Sequence, residues 1–275
     1  MHTYTETEVN TRIENIINEQ ISTVDEKKAY ADILSLVDLT TLEGSDNEEK
    51  IKSLCEQAMS FKEQGEGVPN VAAVCVYPPF VKQAKELLKG TGISVASVAG
   101  AFPSGQSPIE IKVAEIKYAV AEGADDIDMV ISRGKFLSGD HKTVGDEVRA
   151  IKDACGNAHL KVILETGELQ TLDNIRLASD ISIANGGDFI KTSTGKIQPA
   201  ATEQAFLVML DAIKDEFDKS GKKIGIKPAG GIAEPEDALR YYLLVKGVLG
   251  DDWLNSHLFR FGASRLATKL LNKII

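Results

Sequence analysis

The chain has 275 residues, of which 43% are hydrophobic and 26% charged, and its formal net charge is −10. That length holds one large α/β domain or two small ones, with enough apolar side chains for a full core. The acidic balance argues against non-specific nucleic-acid binding, which needs a basic face, and no apolar run is long enough to cross a bilayer. An anionic substrate would have to be held by a local cluster of donors.

The first segment, MHTYTETEVN, has no apolar signal core, and a cytoplasmic location is expected. Further along, Ile13, Ile16, Ile17 and Ile21 stand at helical spacing. Residues 1–30 are therefore expected to form a helical extension that closes the bottom of the following domain or packs on another subunit. The rest of the chain, 31–275, reads as one catalytic domain.

From about residue 32 onward, short apolar runs alternate with amphipathic stretches. The strand candidates in order are ILSLVDL (33–39), VAAVCV (71–76), ISVASVA (93–99), DDIDMVI (125–131), KVILE (161–165), DFIK (188–191), KIGIK (223–227) and LFRFGA (258–263). Between them, Ser45-Asp46-Asn47-Glu48 and Ser107-Pro108-Ile109-Glu110 fit capping boxes, the second with proline at the first helical position. Glu234-Pro235-Glu236 opens another helix with acids near its positive end. Eight such units predict a parallel (β/α)8 barrel, with a doubly wound open sheet as the alternative.

A barrel of this kind carries its chemistry at the C-terminal ends of its strands. Side chains alternate between the two faces of a strand, so Asp126 and Asp128 share a face, as do Phe189 and Lys191, and Gly225 and Lys227. Asp128, Lys191 and Lys227 are thus predicted to converge at the mouth. Neighbouring strands lie about 4.8 Å apart. Two ammonium groups about 5 Å apart repel by roughly 3 kcal/mol at an effective dielectric near 20. Such repulsion lowers one lysine by about two pKa units, and burial acts in the same direction. That matters because an ordinary lysine is neutral in less than about one part in a thousand at pH 7. Asp128 is suited to moving the protons of carbinolamine formation and dehydration, or else simply neutralises a lysine.

Glycine-rich turns follow the last two strands, Pro228-Ala229-Gly230-Gly231-Ile232 and Phe261-Gly262-Ala263-Ser264-Arg265. Loops at these positions are common phosphate sites, through backbone N–H groups at a helix start. Ser264 adds a hydroxyl and Arg265 a charge. Cys55, Cys75 and Cys155 are odd in number and form no CxxC pair, and Cys75 reads as core rather than nucleophile. His2, His141, His159 and His257 lack metal-ligand spacing, and no G-x-G-x-x-G follows the first strand. Glu165-Thr166-Gly167 suggests only a turn or hydrogen-bonding role.

At these residues the chain closely resembles the deoxyribose-phosphate aldolases, which are class I aldolases. The matching segments are VDLTTL (37–42), GADDIDMVI (123–131), KVILETGEL (161–169), DFIKTSTGK (188–196), GIKPAGGI (225–232) and FRFGAS (259–264). The resemblance implies that Lys191 forms a Schiff base and that Asp128 and Lys227 serve as proton donors and acceptors. It places Asp38 and Lys196 near the sugar hydroxyls or phosphate, and Gly230, Gly231, Ser264 and Arg265 at the phosphate. No metal or organic cofactor is implied. The implied reaction is reversible cleavage of 2-deoxy-D-ribose 5-phosphate to D-glyceraldehyde 3-phosphate and acetaldehyde, with an iminium as the electron sink for a break placed between C3 and C4. A homodimer is the expected assembly. Some members use a tail tyrosine in proton transfer, whereas this sequence ends LLNKII, which puts tail assistance in doubt. The competing readings are another Schiff-base enzyme of the transaldolase kind, loaded by a ketose, and a non-catalytic sugar-phosphate-binding barrel.

Overall fold

The computed structural model describes residues 3–275; His2 lies outside them. Eight parallel strands are present, β1 (Val37–Thr40), β2 (Ala73–Val76), β3 (Ser94–Ala99), β4 (Asp126–Val130), β5 (His159–Ile163), β6 (Phe189–Lys191), β7 (Gly225–Lys227) and β8 (Phe261–Ala263). Their order is β7-β6-β5-β4-β3-β2-β1-β8, and parallel bridges Ile226–Phe259 and Ala229–Gly262 join the two ends into a barrel. The helices are α1 (Glu6–Ile21), α2 (Glu26–Ser35), α3 (Glu48–Ser60), α4 (Val81–Leu87), α5 (Ile109–Ala121), α6 (Arg133–Leu137), α7 (His141–Cys155), α8 (Leu172–Ala184), α9 (Glu203–Ser220), α10 (Pro235–Leu249) and α11 (Leu266–Ile274).

Every predicted strand forms, but the first is shorter than its apolar run. Residues 33–35 of ILSLVDL belong to α2, where Ile33 and Leu34 are buried against the core. Strand and helix cannot be separated by apolarity alone in so short a run. The N-terminal segment forms two helices instead of one, because Asp25 caps α2 by accepting from the Lys28 amide. Helix α1 buries Val9, Ile13 and Ile17 and packs along the outside of α9 and α10. Each such side chain contributes about 1.5–3 kcal/mol. Ile16 reaches α10 at Gly247, where an added Cβ would lie 2.4 Å from it. A bidentate pair from Arg12 to Asp211 fixes the same docking.

Two helix starts differ from the sequence reading. Asn47 caps α3 by accepting from the Lys50 amide, while Asp46 is drawn aside by the Thr41 hydroxyl and the Glu43 amide. Pro108 stands just before α5 in extended backbone and supplies its carbonyl to the amides of Ile111 and Lys112, so no side chain caps this helix. Pro235 does occupy the first turn of α10.

Register decides what faces inward. Asp128 pairs with Lys161, Lys161 with Phe189, Phe189 with Gly225, and Lys191 with Lys227. The interior divides into an ionic part on β1, β4–β7 and the residue before β8, and an apolar part, where Leu42, Cys75, Ala96 and Val98 cluster apart from the main core. Gly225 leaves room for the Phe189 ring, which an added Cβ would approach to 2.4 Å. Gly225→Ala should therefore destabilise the protein by about 1–3 kcal/mol in denaturant unfolding. An unchanged midpoint would show that the β6–β7 contact is not tight.

Candidate active site

The ends of β4, β6 and β7 bring the three predicted residues into contact. Lys191 Nζ lies 2.6 Å from Asp128 Oδ2, and Lys227 Nζ lies 2.8 Å from the same oxygen. Lys227 also reaches Asp38 Oδ2 at 2.5 Å. The Arg260 guanidinium holds the other Asp38 oxygen at 2.7 Å. Beneath them, Lys161 Nζ is 2.7 Å from Asp126 Oδ2 and 3.6 Å from Asp128 Oδ1. Arg260 is 3.4 Å from Asp126. All of these groups are buried, and Asp38, Asp128, Lys161 and Lys227 have no exposed surface.

The two lysines are not equivalent. Burial pushes both down, but Lys227 has Asp128 and Asp38 beside it and ends above the ordinary lysine value. Lys191 has only a share in Asp128 and faces the Lys227 cation, so its amine is held below the ordinary value. Geometry thus separates two positions that strand alternation left equivalent. The ion count agrees: Asp38, Asp126 and Asp128 are matched by Lys161, Lys227 and Arg260, leaving Lys191 without a carboxylate of its own. A fourth buried cation would be costly, whereas a neutral amine is not. Burial raises the Asp128 carboxyl, yet Lys191, Lys227 and Lys161 outweigh it and hold it well below the usual carboxylate range.

Above the lysines a cavity of about 320 Å³ opens at the C-terminal mouth. Lys191 lines it, together with Lys196, Gly230, Gly231, Ser264 and Arg265. Asp38, Asp128 and Lys227 lie below and do not line it. Gly230 has φ +80°, and a Cβ there would stand 2.7 Å from Ala200 Cβ. The turn after β7 therefore requires glycine. Ser264 and Arg265 directly precede α11, whose first amides have no helical acceptor and suit an anion. Lys196 stands at the rim, 3.1 Å from Glu43, well away from the ionic floor. A larger cavity, about 720 Å³, opens at the opposite mouth beside Asp126, His159 and Arg260, but Lys191 does not line it. The smaller one, which Lys191 lines, is the candidate reacting end.

Sequence reading left Lys161 and Arg260 unassigned. The alternation used for β4, β6 and β7 puts Lys161 on the face of Ile163 and Glu165, and Arg260 on the face of Gly262, while the β4–β5 register sets Lys161 opposite Asp128. Glu165 was read only as a turn or hydrogen-bonding residue. It is fully buried at φ +56°, accepts from the Thr194 amide and hydroxyl, and pairs with Arg133 at 3.1 Å. It thereby fixes the loop that carries Lys196. Cys75 is buried near the lysines with its thiol pushed up to about 11 by desolvation, as a core thiol should be. Among the described residues, no cluster of His, Cys, Asp and Glu is placed to hold a metal ion.

A buried amine held below its ordinary pKa at the mouth of a (β/α)8 barrel, beneath glycine-rich turns, suits the chemistry of an imine-forming aldolase. Residues 33–242 match the family model described as DeoC/LacD family aldolase, and the chain belongs to that family. It is 46% identical over 252 residues to deoxyribose-phosphate aldolase of Homo sapiens, covering 88% of this chain and 79% of that one. With the Bos taurus enzyme of the same name the identity is 45% over the same shares. The tetrameric deoxyribose phosphate aldolase of Aeropyrum pernix superposes with TM-score 0.73 at 25% identity, over 94% of this chain and 96% of that one. A triosephosphate isomerase from Bartonella henselae shares the barrel alone, with TM-score 0.53 at 16% identity, over 87% of this chain and 97% of that one.

The depressed carboxyls have a consequence for acid stability. Burial raises Asp38, Asp126 and Asp128, but Lys227, Lys161 and Lys191 respectively lead the cations that pull each below its ordinary value. The unfolded chain, whose carboxyls titrate near about 3.9, then binds more protons than the native state. Their stabilisation is complete above that value and is lost as pH falls through the folded values. Denaturant titrations from pH 7 to pH 3 should show a stability loss concentrated below about pH 4. A flat profile would contradict the ionic floor.

Proposed function

We propose that the protein is a class I aldolase that reversibly cleaves 2-deoxy-D-ribose 5-phosphate into D-glyceraldehyde 3-phosphate and acetaldehyde. The observation that carries this reading is the amine of Lys191, left without its own carboxylate at the floor of a pocket whose rim suits a phosphate. Lys191 attacks the open-chain aldehyde at C1. Asp128, 2.6 Å from the amine, takes and returns the protons of carbinolamine formation, and water leaves to give the iminium. The C3 hydroxyl then gives its proton to the Asp128 carboxylate while the electrons of the C2–C3 bond pass to the iminium, giving an enamine and D-glyceraldehyde 3-phosphate. A break between C3 and C4, as first placed, would leave the phosphate on a two-carbon piece and cannot yield these products. The enamine is protonated at C2, and hydrolysis releases acetaldehyde and the free amine.

Lys227 is held charged between turnovers by Asp38 and Asp128 and so depresses Lys191; within a turnover it lends a proton to the Asp128 site and takes it back. The amides of Gly230 and Gly231, the Ser264 hydroxyl and the start of α11 receive the phosphate, with Lys196 and Arg265 at the rim. Asp38 orients Lys227 from below. Binding energy from the phosphate end orients the bond being broken. The reading takes residues 31–275 as the catalytic barrel and 1–30 as its extension; charge and apolar patterning support a cytoplasmic protein with no nucleic-acid or membrane partner, and the resemblance supports a homodimer.

Borohydride reduction with acetaldehyde, followed by peptide mass mapping, should place a two-carbon adduct on Lys191 and none in Lys191→Met. An adduct on Lys227 reverses the two lysine roles, and no adduct in folded protein overturns the aldolase reading. Asp128→Asn should keep the fold and lower kcat by about a hundredfold or more. Near-normal turnover in that variant would remove Asp128 from proton transfer.

A further inference from the structure

The lower ionic layer takes no part in the steps above, yet it touches them. Lys161 is fully buried on β5, opposite Asp128 in the β4–β5 register. Its ammonium lies 3.6 Å from Asp128 Oδ1, while Asp128 Oδ2 is taken by Lys191 and Lys227. Among the described residues neither Lys161 Nζ nor Asp128 Oδ1 finds a hydrogen bond, so each is held by ion contact. Asp126, the nearest counterion of Lys161, is itself shared with Arg260 at 3.4 Å and with His159 at 3.2 Å.

We propose that Lys161 is a positioning residue for the reaction, whose buried charge, balanced against Asp126 and Arg260, decides whether Lys191 carries a proton. The inference rests on Lys191 being the imine-forming amine. The charged and titratable groups around that amine are Asp38 on β1, Cys75 on β2, Asp126 and Asp128 on β4, Lys161 on β5, Lys227 on β7 and Arg260 before β8. His159 acts through Asp126. Glu165 is held by Arg133 and Thr194, and Lys196 and Glu43 pair at the rim.

The logic is one of occupancy. With Lys161 in place, three fixed cations match three carboxylates and Lys191 is the one left over. Without Lys161, three carboxylates face Lys227 and Arg260 alone, and Lys191 fills the vacant place by keeping its proton. Loss of the Asp126 charge acts oppositely, because three fixed cations then face two carboxylates. The sign is therefore different for two residues that touch each other at 2.7 Å. A merely structural role would give both variants the same effect.

The test is the pH dependence of acetaldehyde trapping on Lys191 by cyanoborohydride, read by mass mapping in the full-length protein. In Lys161→Met the acid limb should move to higher pH by about one unit, and in Asp126→Asn to lower pH by a similar amount. Lys161→Arg, which keeps the charge, should restore the limb to near its original place. Variants that fold, as judged by circular dichroism, and lose rate equally at every pH would overturn the inference. Should Lys161→Met not fold, the nearly isosteric Asp126→Asn decides alone: a limb moved to lower pH supports the inference, and an unmoved one overturns it. Absence of any Lys191 adduct in the unsubstituted protein would instead overturn the proposed function, which keeps the two failures distinct.

Discussion

One carboxylate oxygen, Asp128 Oδ2, is asked to serve two ammonium groups, and the rest of the site follows from that shortage. Lys227 wins the contest because Asp38 gives it a second partner at 2.5 Å. Lys191 has no such partner and lies at the edge of the cavity, its amine held below the ordinary lysine value. A single Lys–Asp pair in the same place would hold a proton firmly. Adding a second lysine with a better claim to the acid makes the first one nucleophilic.

The barrel supplies the conditions for this arrangement. The β6–β7 pairing sets Lys191 opposite Lys227, so the two amines cannot separate by more than their side chains allow, and closure through the β7–β8 bridges brings Asp38 of β1 across to Lys227. Gly225 and Phe189 fill the space beneath, and the small apolar cluster around Cys75 and Val98 closes the other side. Asp38, Asp128, Lys161 and Lys227 have no exposed surface. The charges accordingly interact through a medium of low polarizability, where a fixed ion several ångströms away still matters. At the mouth the demands reverse: Gly230, Gly231 and the start of α11 offer backbone dipoles toward an anion without bringing another lysine into the floor.

Much of this was legible in the sequence. The eight strands, the barrel and the meeting of Asp128, Lys191 and Lys227 follow from apolar runs and two-residue alternation. The glycine turns and Ser264-Arg265 line one cavity as their positions after β7 and β8 suggest. Less legible was which lysine holds its proton less tightly, since that depends on Asp38 reaching across from β1, a contact separated by 189 positions in the chain. The break between α1 and α2 was missed because Asp25 ends one apolar stripe and caps the next helix within a few residues. Lys161 and Arg260 were passed over because each sits among apolar neighbours and carries no motif; only their strand parity marks them as interior. Glu165 gives no signal of its left-handed backbone until the loop it anchors is placed.

The central claim is the unequal protonation of two lysines that share one carboxylate. It is tested most directly by titrating the protein with ¹³C-labelled lysine side chains and following the ε-carbon resonances, assigned through Lys191→Arg and Lys227→Arg. The Lys191 resonance should move to its neutral position below the pH at which ordinary lysines titrate, while that of Lys227 stays in its charged position throughout. A Lys191 resonance that keeps its charged position into the ordinary lysine range would contradict it.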